Sequence, residues 1–341
     1  MFPLLAALAV AAAPADWQQA ESAHLQNIRQ VTHDFVRAGE GYFSPDGKHV
    51  IFQAEEKGTG NPFYQIFVLD LATGSYRRVS PGVGKTTCSF FRPDGKKIIF
   101  ASSHLDPEAK KKQEEEYVRR EEVARSGKRR PYLWDFDPWM DIWEANPDGT
   151  DLKRLTDRKG YAAEGSYSPD GKQIVFCSQQ DGNLELYIMD ADGKNVRQLT
   201  HTPGCYNGGP FFSPDGKRVI FRSDRKKKDY LQLFVINADG SGERALTDNP
   251  DWVQWGAYWY KDGRHIIYAG ADHSNPAARP NYDLYWMDID TGKKERITFA
   301  PGADVLPVFS PDGKKLMWTS TRDGHQPAQL YVADFVPPKD G

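Results

Sequence analysis

Ser168-Pro169-Asp170-Gly171-Lys172 is followed at once by the apolar run Ile174-Val175-Phe176. Then come Asp181-Gly182, the run Leu184-Glu185-Leu186-Tyr187-Ile188-Met189, Asp192-Gly193 and a closing Arg197-Gln198-Leu199-Thr200. This reads as four short strands joined by three turns. Asp-Gly is a strong hairpin signal, because the tight turn needs a positive φ that Gly adopts without steric cost. The cassette recurs. The turn aspartate falls at Asp46, Asp94, Asp170, Asp215, Asp262 and Asp312, with spacings of 48, 76, 45, 47 and 50 residues. A four-stranded propeller blade takes about 40–50 residues, so the long spacing marks an insertion. In the fifth unit Lys261 replaces the proline, but the Asp and Gly of the turn remain.

Alignment on these turns exposes further regularities. Two residues before the proline position stands an aromatic in every unit: Phe43, Phe91, Tyr167, Phe212, Trp259 and Phe309. A side chain there is expected to pack between neighbouring blades. The second and third strands, such as Val219-Ile220-Phe221 and Leu233-Phe234-Val235-Ile236, are apolar on both faces, as in sheets covered on both sides. The fourth strand recurs as Arg77-Arg78-Val79-Ser80, Lys153-Arg154-Leu155-Thr156, Arg197-Gln198-Leu199-Thr200, Arg244-Ala245-Leu246-Thr247 and Glu295-Arg296-Ile297-Thr298. The last unit reaches Pro337-Pro338 without one. The missing copy is Ile28-Arg29-Gln30-Val31-Thr32, at the other end of the chain. The reading is an all-β, six-bladed propeller over residues 27–336, its ring closed by residues 27–32 pairing with 328–333. Closure removes open sheet edges.

The other segments follow from composition. Residues 1–15 read as a secretory signal peptide, with a short apolar run and small residues up to Ala15. Residues 16–26 are an N-terminal segment and 337–341 a tail. The insertion, about 105–131 in blade 2, opens with Asp106-Pro107-Glu108 and carries Glu115/Arg119, Glu116/Arg120 and Glu121/Arg125 as i,i+4 pairs. It is expected to form a solvated helix projecting from the rim. Tyr132, Trp134, Phe136 and Trp139 lead back to the blade. A formal net charge of −3 argues against nucleic acid as partner, and no stretch is long and apolar enough to span a bilayer. Cys88, Cys177 and Cys205 read as buried strand residues. No metal or phosphate-loop motif occurs, no cofactor is expected, and a monomer is expected. The aspartates of the Pro-Asp-Gly turns are read as turn-formers that bond their own backbone.

The Phe-Ser-Pro-Asp-Gly-Lys turn before a strand, with Asp-Gly and Arg-Gln-Leu-Thr closing the blade, resembles the TolB-type propeller repeat over residues about 27–335. The resemblance implies a periplasmic or secreted six-bladed propeller that binds an envelope protein or peptide. The α/β domain that precedes the propeller in TolB itself has no counterpart in the sequence read here. The propeller is also similar to that of prolyl-oligopeptidase-type enzymes, but no Gly-x-Ser-x-Gly elbow occurs. A third similarity, to oligogalacturonate lyases, implies an alternative: a metal-assisted enzyme, lyase or hydrolase, acting on a polysaccharide.

A propeller's usual site is the mouth of its channel. The insertion belongs to the end that carries the loops into the first strands, so the site is expected there. The slots read as inner-strand starts are Glu40, Cys88, Glu164, Gly209, Gly256 and Leu306. Arg222 occupies a slot held elsewhere by Gln53, Ala101, Cys177, Ala269 and Thr319, and Glu164 is its candidate partner. Polar groups that break a repeat are expected at functional sites. The expected ligand-binding set is Glu40, Glu164, Asn207, Arg222, Trp255 and Asp304. Arg222 is expected to hold a carboxylate, from a peptide or an acidic sugar, by two parallel bonds, with Trp255 as an apolar platform. His104 and His273, just past second strands, are the candidate metal ligands for the enzymatic alternative.

Overall fold

A computed structural model describes residues 16–126, 136–157, 160–324 and 327–339. Six four-stranded antiparallel sheets follow one another around a ring. Blade 1 uses Phe35–Phe43, His49–Glu56, Gln65–Asp70 and Tyr76–Arg78. Blades 2 to 5 have their first strands at Thr86–Phe91, Ala162–Tyr167, Asn207–Phe212 and Trp252–Trp259. In blade 6, Asp304–Phe309, Lys315–Ser320 and Gln329–Phe335 are joined by Leu25–Gln30 as the outermost strand. The closing strand therefore begins at Leu25 rather than at residue 27, and pairs Leu25 with Phe335 and Gln30 with Tyr331.

The closing Thr of each cassette has a physical role. Its hydroxyl accepts the backbone N–H that opens the third strand: Ile142 to Thr156, Leu186 to Thr200, Leu233 to Thr247 and Leu284 to Thr298, all at 2.8–2.9 Å. Ser80 serves Ile66 in the same way at 2.9 Å. Thr32 does so for Leu330 at 2.9 Å and donates to Gln329 at 2.8 Å. The ring is thus closed by the same latch that finishes each internal blade. The turn aspartates accept from their own turns, as Asp46 does from Ser44 Oγ at 2.5 Å and from the Lys48 N–H at 3.1 Å. The repeated aromatics are buried. Trp259 donates its indole N–H to Phe211 O of the preceding blade at 3.1 Å, and Phe309 packs on Trp286 of blade 5.

Two segments depart from expectation. Residues 16–26 are not a plain lead-in: α1 (Trp17–Glu21) places the Glu21 carboxylate, fully buried, against the Phe299 N–H at 2.7 Å and Arg322 Nη1 at 3.1 Å. The insertion helix α2 (Ala109–Ser126) does not project. Arg120 donates to Glu55 of blade 1 at 2.7 Å and to Pro62 O at 2.7 Å, and Gln113 bridges the Gly84 N–H and Gly60 O. Glu116/Arg120 and Glu121/Arg125 pair as read, whereas Arg119 pairs with Glu116. Tyr117 and Val118 stay exposed, so polar side chains rather than an apolar stripe dock the helix. The signal-peptide reading at 1–15 and the residues Tyr132 and Trp134 lie outside the described residues.

Candidate ligand site in the central channel

Each first strand breaks register with its neighbour at an equivalent place, between Gly39 and Gly41, Thr87 and Phe90, Ala163 and Ser166, Gly208 and Phe211, Trp255 and Tyr258, and Val305 and Val308. The six aligned slots fall inside these bulges and not at strand starts. All six residues are left-handed: Glu40 at φ 46°, Cys88 at 53°, Glu164 at 59°, Gly209 at 58°, Gly256 at 63° and Leu306 at 54°. A bulge re-aims a side chain, and here the six converge on the channel. Non-glycine residues in this region are uncommon and strained. Gly209 and Gly256 therefore answer first to backbone conformation.

Two residues beyond the bulge, four blades contribute aromatics: Tyr42, Phe90, Phe211 and Tyr258. Their ring centroids lie 5.2–6.3 Å apart, and Tyr42 of blade 1 meets Phe211 of blade 4 across the axis at 5.6 Å. The channel is therefore plugged, not open. The bulge residues precede the plug along every first strand, so they sit on the side of the insertion-bearing mouth. Together with Arg222 they line a blind cavity whose floor is the aromatic layer. Its free volume is about 450 Å³ counted to the open mouth.

The polar side of the cavity is a built cluster. Glu164 accepts from the Tyr206 hydroxyl at 2.9 Å, from Tyr161 at 3.3 Å, from Arg222 Nη2 at 3.1 Å and from the Gly209 N–H. Arg222 also donates from Nε and Nη2 to the Tyr206 hydroxyl, at 3.2 and 2.9 Å. Burial pushes the phenols of Tyr206 and Tyr161 up, so they remain donors. Gly208 is required here, since a Cβ would overlap the Tyr206 hydroxyl and come within 2.5 Å of Glu164 Oε2. A Cβ on Gly209 would overlap Arg222 Nη1, which places that nitrogen over the channel wall. Among the described residues no hydrogen bond engages Nη1. The expected two-bond fork is thus half spent on Glu164 and Tyr206.

Glu40 faces this cluster with little support. Tyr42 donates to Oε1 at 3.3 Å and the Cys88 thiol lies 3.9 Å from Oε2, both long. Burial raises its pKa to about 7; Glu164 adds to the rise and Arg222 opposes it. Burial, with Glu40 and Glu164 nearby, also pushes the Cys88 thiol up, so it stays protonated at neutrality.

The remaining candidates are distributed elsewhere. Trp255 stands beside the cavity, its ring 5.6 Å from the Arg222 guanidinium carbon. Asn207 is buried between blades 3 and 4, donating to Glu185 at 3.0 Å and Thr202 at 2.7 Å and accepting from Arg225 at 2.6 Å. Asp304 is buried with Trp318, Ser320 and Arg322, which ties it to Glu21 and α1. Both are braces between elements and do not line the cavity. His104 contacts Ser102 at 3.0 Å and Trp143, whereas His273 bonds the Tyr282 hydroxyl at 2.8 Å. They stand on blades 2 and 5. Among the described residues no three His, Cys, Asp or Glu side chains converge to hold a metal ion, so the donor set of the enzymatic alternative is not assembled. Tyr161, Tyr206 and the aromatic plug were missed in the sequence. The plug had a signal: four of six units carry an aromatic two residues past the aligned slot.

Comparison with known proteins agrees with this architecture. Residues 142–279 match the family described as TolB beta propeller domain. Over those residues the chain is similar to a TolB-type β-propeller. A protein TolB homolog of Chlorobium chlorochromatii is 32% identical over 158 residues, covering 46% of this chain and 33% of that protein. Dipeptidyl-peptidase 5 of Porphyromonas endodontalis is 26% identical over 242 residues, covering 58% of this chain and 35% of that protein. The chain thus spans about a third of the length of these relatives. The crystal structure of TolB from Acinetobacter baumannii superposes with a TM-score of 0.57 at 19% identity, covering 89% of this chain and 65% of that one; that likeness concerns the fold. No helix among the described residues is long and apolar enough to cross a membrane.

Proposed function

We propose that this propeller is an exported binding module of the cell envelope that engages a protein or peptide partner at its insertion-bearing mouth. The observation that carries the reading is the blind cavity. The channel is stoppered by Tyr42, Phe90, Phe211 and Tyr258, and above the stopper Arg222 Nη1 and the Glu40 carboxyl have no strong partner among the described residues. Both residues line the cavity, where an entering ligand can reach them. The mouth also carries exposed apolar side chains, Leu105 and Trp139, on the blade 2 connection. Exposed aromatics suit a partner surface. Likeness to proteins named TolB supports an envelope role and a periplasmic or secreted location. Export also rests on the apolar leader at residues 1–15.

A photo-crosslinking residue placed at position 105 or 139 tests the proposal in the native cells. A defined adduct is expected from both mouth positions and none from position 76, where Tyr76 is exposed on the outer strand of blade 1. Equal adducts at all three positions, or adducts only at 76, would overturn the mouth as the binding face. Cleavage near Ala15, read by mass spectrometry, tests export.

A further inference from the structure

We propose that the channel cavity is a receptor for a single peptide carboxylate, held between Arg222 Nη1 and the protonated carboxyl of Glu40. The inference rests on the binding reading above and names the group that enters. Three observations carry it. Glu164 and Arg222 neutralise one another at 3.1 Å, and Tyr206, Tyr161 and the Gly209 N–H satisfy the rest of Glu164. Among the described residues, the site therefore presents one unspent guanidinium nitrogen, Nη1 with its two N–H groups, and no unspent ionised acceptor on that wall. Among the described residues, the carboxyl of Glu40, on blade 1, meets only the long contacts from Tyr42 and Cys88. A carboxylic acid so placed has a proton to give, and an incoming carboxylate is its natural acceptor; charge-assisted bonds of this kind are short and strong. Following the binding reading, the carboxylate is that of a peptide partner, a chain terminus or an acidic side chain.

Occupancy is then coupled to protonation of Glu40. The groups that face it are Tyr42 on its own strand, the Cys88 thiol of blade 2, Glu164 of blade 3, Arg222 of blade 4 and Tyr258 of blade 5; blade 6 offers Leu306 and the Thr319 hydroxyl, which accepts the Glu40 N–H at 2.9 Å. Of these, Glu40 is the carboxyl held near neutrality. No bond is made or broken beyond transfer of hydrogen bonds.

The test is titration of the full chain by ligand-detected NMR with acetate, N-acetylglycine and galacturonate at pH 6 and pH 8, where all three stay ionised. With Glu40 titrating at about 7, its protonated fraction falls about tenfold over this range. Acetate and N-acetylglycine should therefore bind about tenfold more weakly at pH 8, and acetamide should not bind. In Glu40→Gln the amide donates N–H at every pH, so binding should persist and vary less than about twofold. Absence of acetate binding at pH 6, or an equal pH dependence in wild type and Glu40→Gln, would overturn the proposal. Binding of galacturonate tighter than N-acetylglycine would overturn the peptide assignment. Crosslinking at the mouth that survives either result would leave the broader binding reading standing, which separates the two failures.

Discussion

Glu40→Gln also tests the electrostatics of the empty protein through its stability. In the folded chain the carboxyl titrates at about 7 against an ordinary value of 4.5, with burial as the largest cause and Glu164 next. Between these two pH values the folded state holds a proton that the unfolded state has released. Stability contributed by that proton is fully present below pH 4.5 and is lost as pH rises to about 7; above that it stays lost. The shift of about 2.5 units corresponds to an upper bound of about 3 kcal/mol at about 1.4 kcal/mol per unit, and partial access to the channel makes the lower half of that range the working value. Asp283 also titrates near 7 through burial, so the wild-type curve alone does not isolate Glu40. The difference between wild type and Glu40→Gln does. Urea unfolding followed by tryptophan fluorescence at pH 5, 6, 7 and 8 should show Glu40→Gln gaining up to about 1.5 kcal/mol on wild type across the range. Parallel curves for the two proteins would refute the argument that Glu40 is buried without adequate partners.

Three further outcomes are expected. Thr32→Val removes the hydroxyl that accepts the Leu330 N–H and donates to Gln329, and should destabilise by about 1–3 kcal/mol; Thr200→Val, inside blade 3, should cost a similar amount in the same unfolding assay if closure uses the same latch. Gly208→Ala forces a methyl onto the Tyr206 hydroxyl and Glu164, and should cost about 1–3 kcal/mol as overpacking does, together with loss of acetate binding by NMR. Arg120→Ala frees α2 from Glu55 and Pro62; hydrogen exchange should show the helix amides losing protection while blade amides keep theirs, because Arg37 still pairs with Glu55 at 2.8 Å.

The comparison of expectation with structure turns on the range of the interactions concerned. Asp-Gly turns, apolar strand runs and the closing Thr or Ser are local features repeated six times, so alignment of the chain on itself determined the blade count, the four-stranded topology and the N-terminal closure. The aligned slot at Glu40, Cys88, Glu164, Gly209, Gly256 and Leu306 was visible too, but its left-handed backbone was not, since only two of the six residues are glycine. What fills the channel depends on distances between blades that are far apart in sequence. Arg222 and Glu164 were legible as a pair because they break the repeat in adjacent blades. Asn207 and Asp304 break it as well, yet both turn toward neighbouring elements and are spent on Arg225, Glu185 and Arg322. A polar exception in a repeat tells that a partner exists; only the packed ring decides whether that partner is another blade, as for Asn207, or the solvent of the channel, as for Glu40. The same holds for α2, whose charges fixed a helix by local pairing while the docking of Arg120 on Glu55 waited on the tertiary position of blade 1.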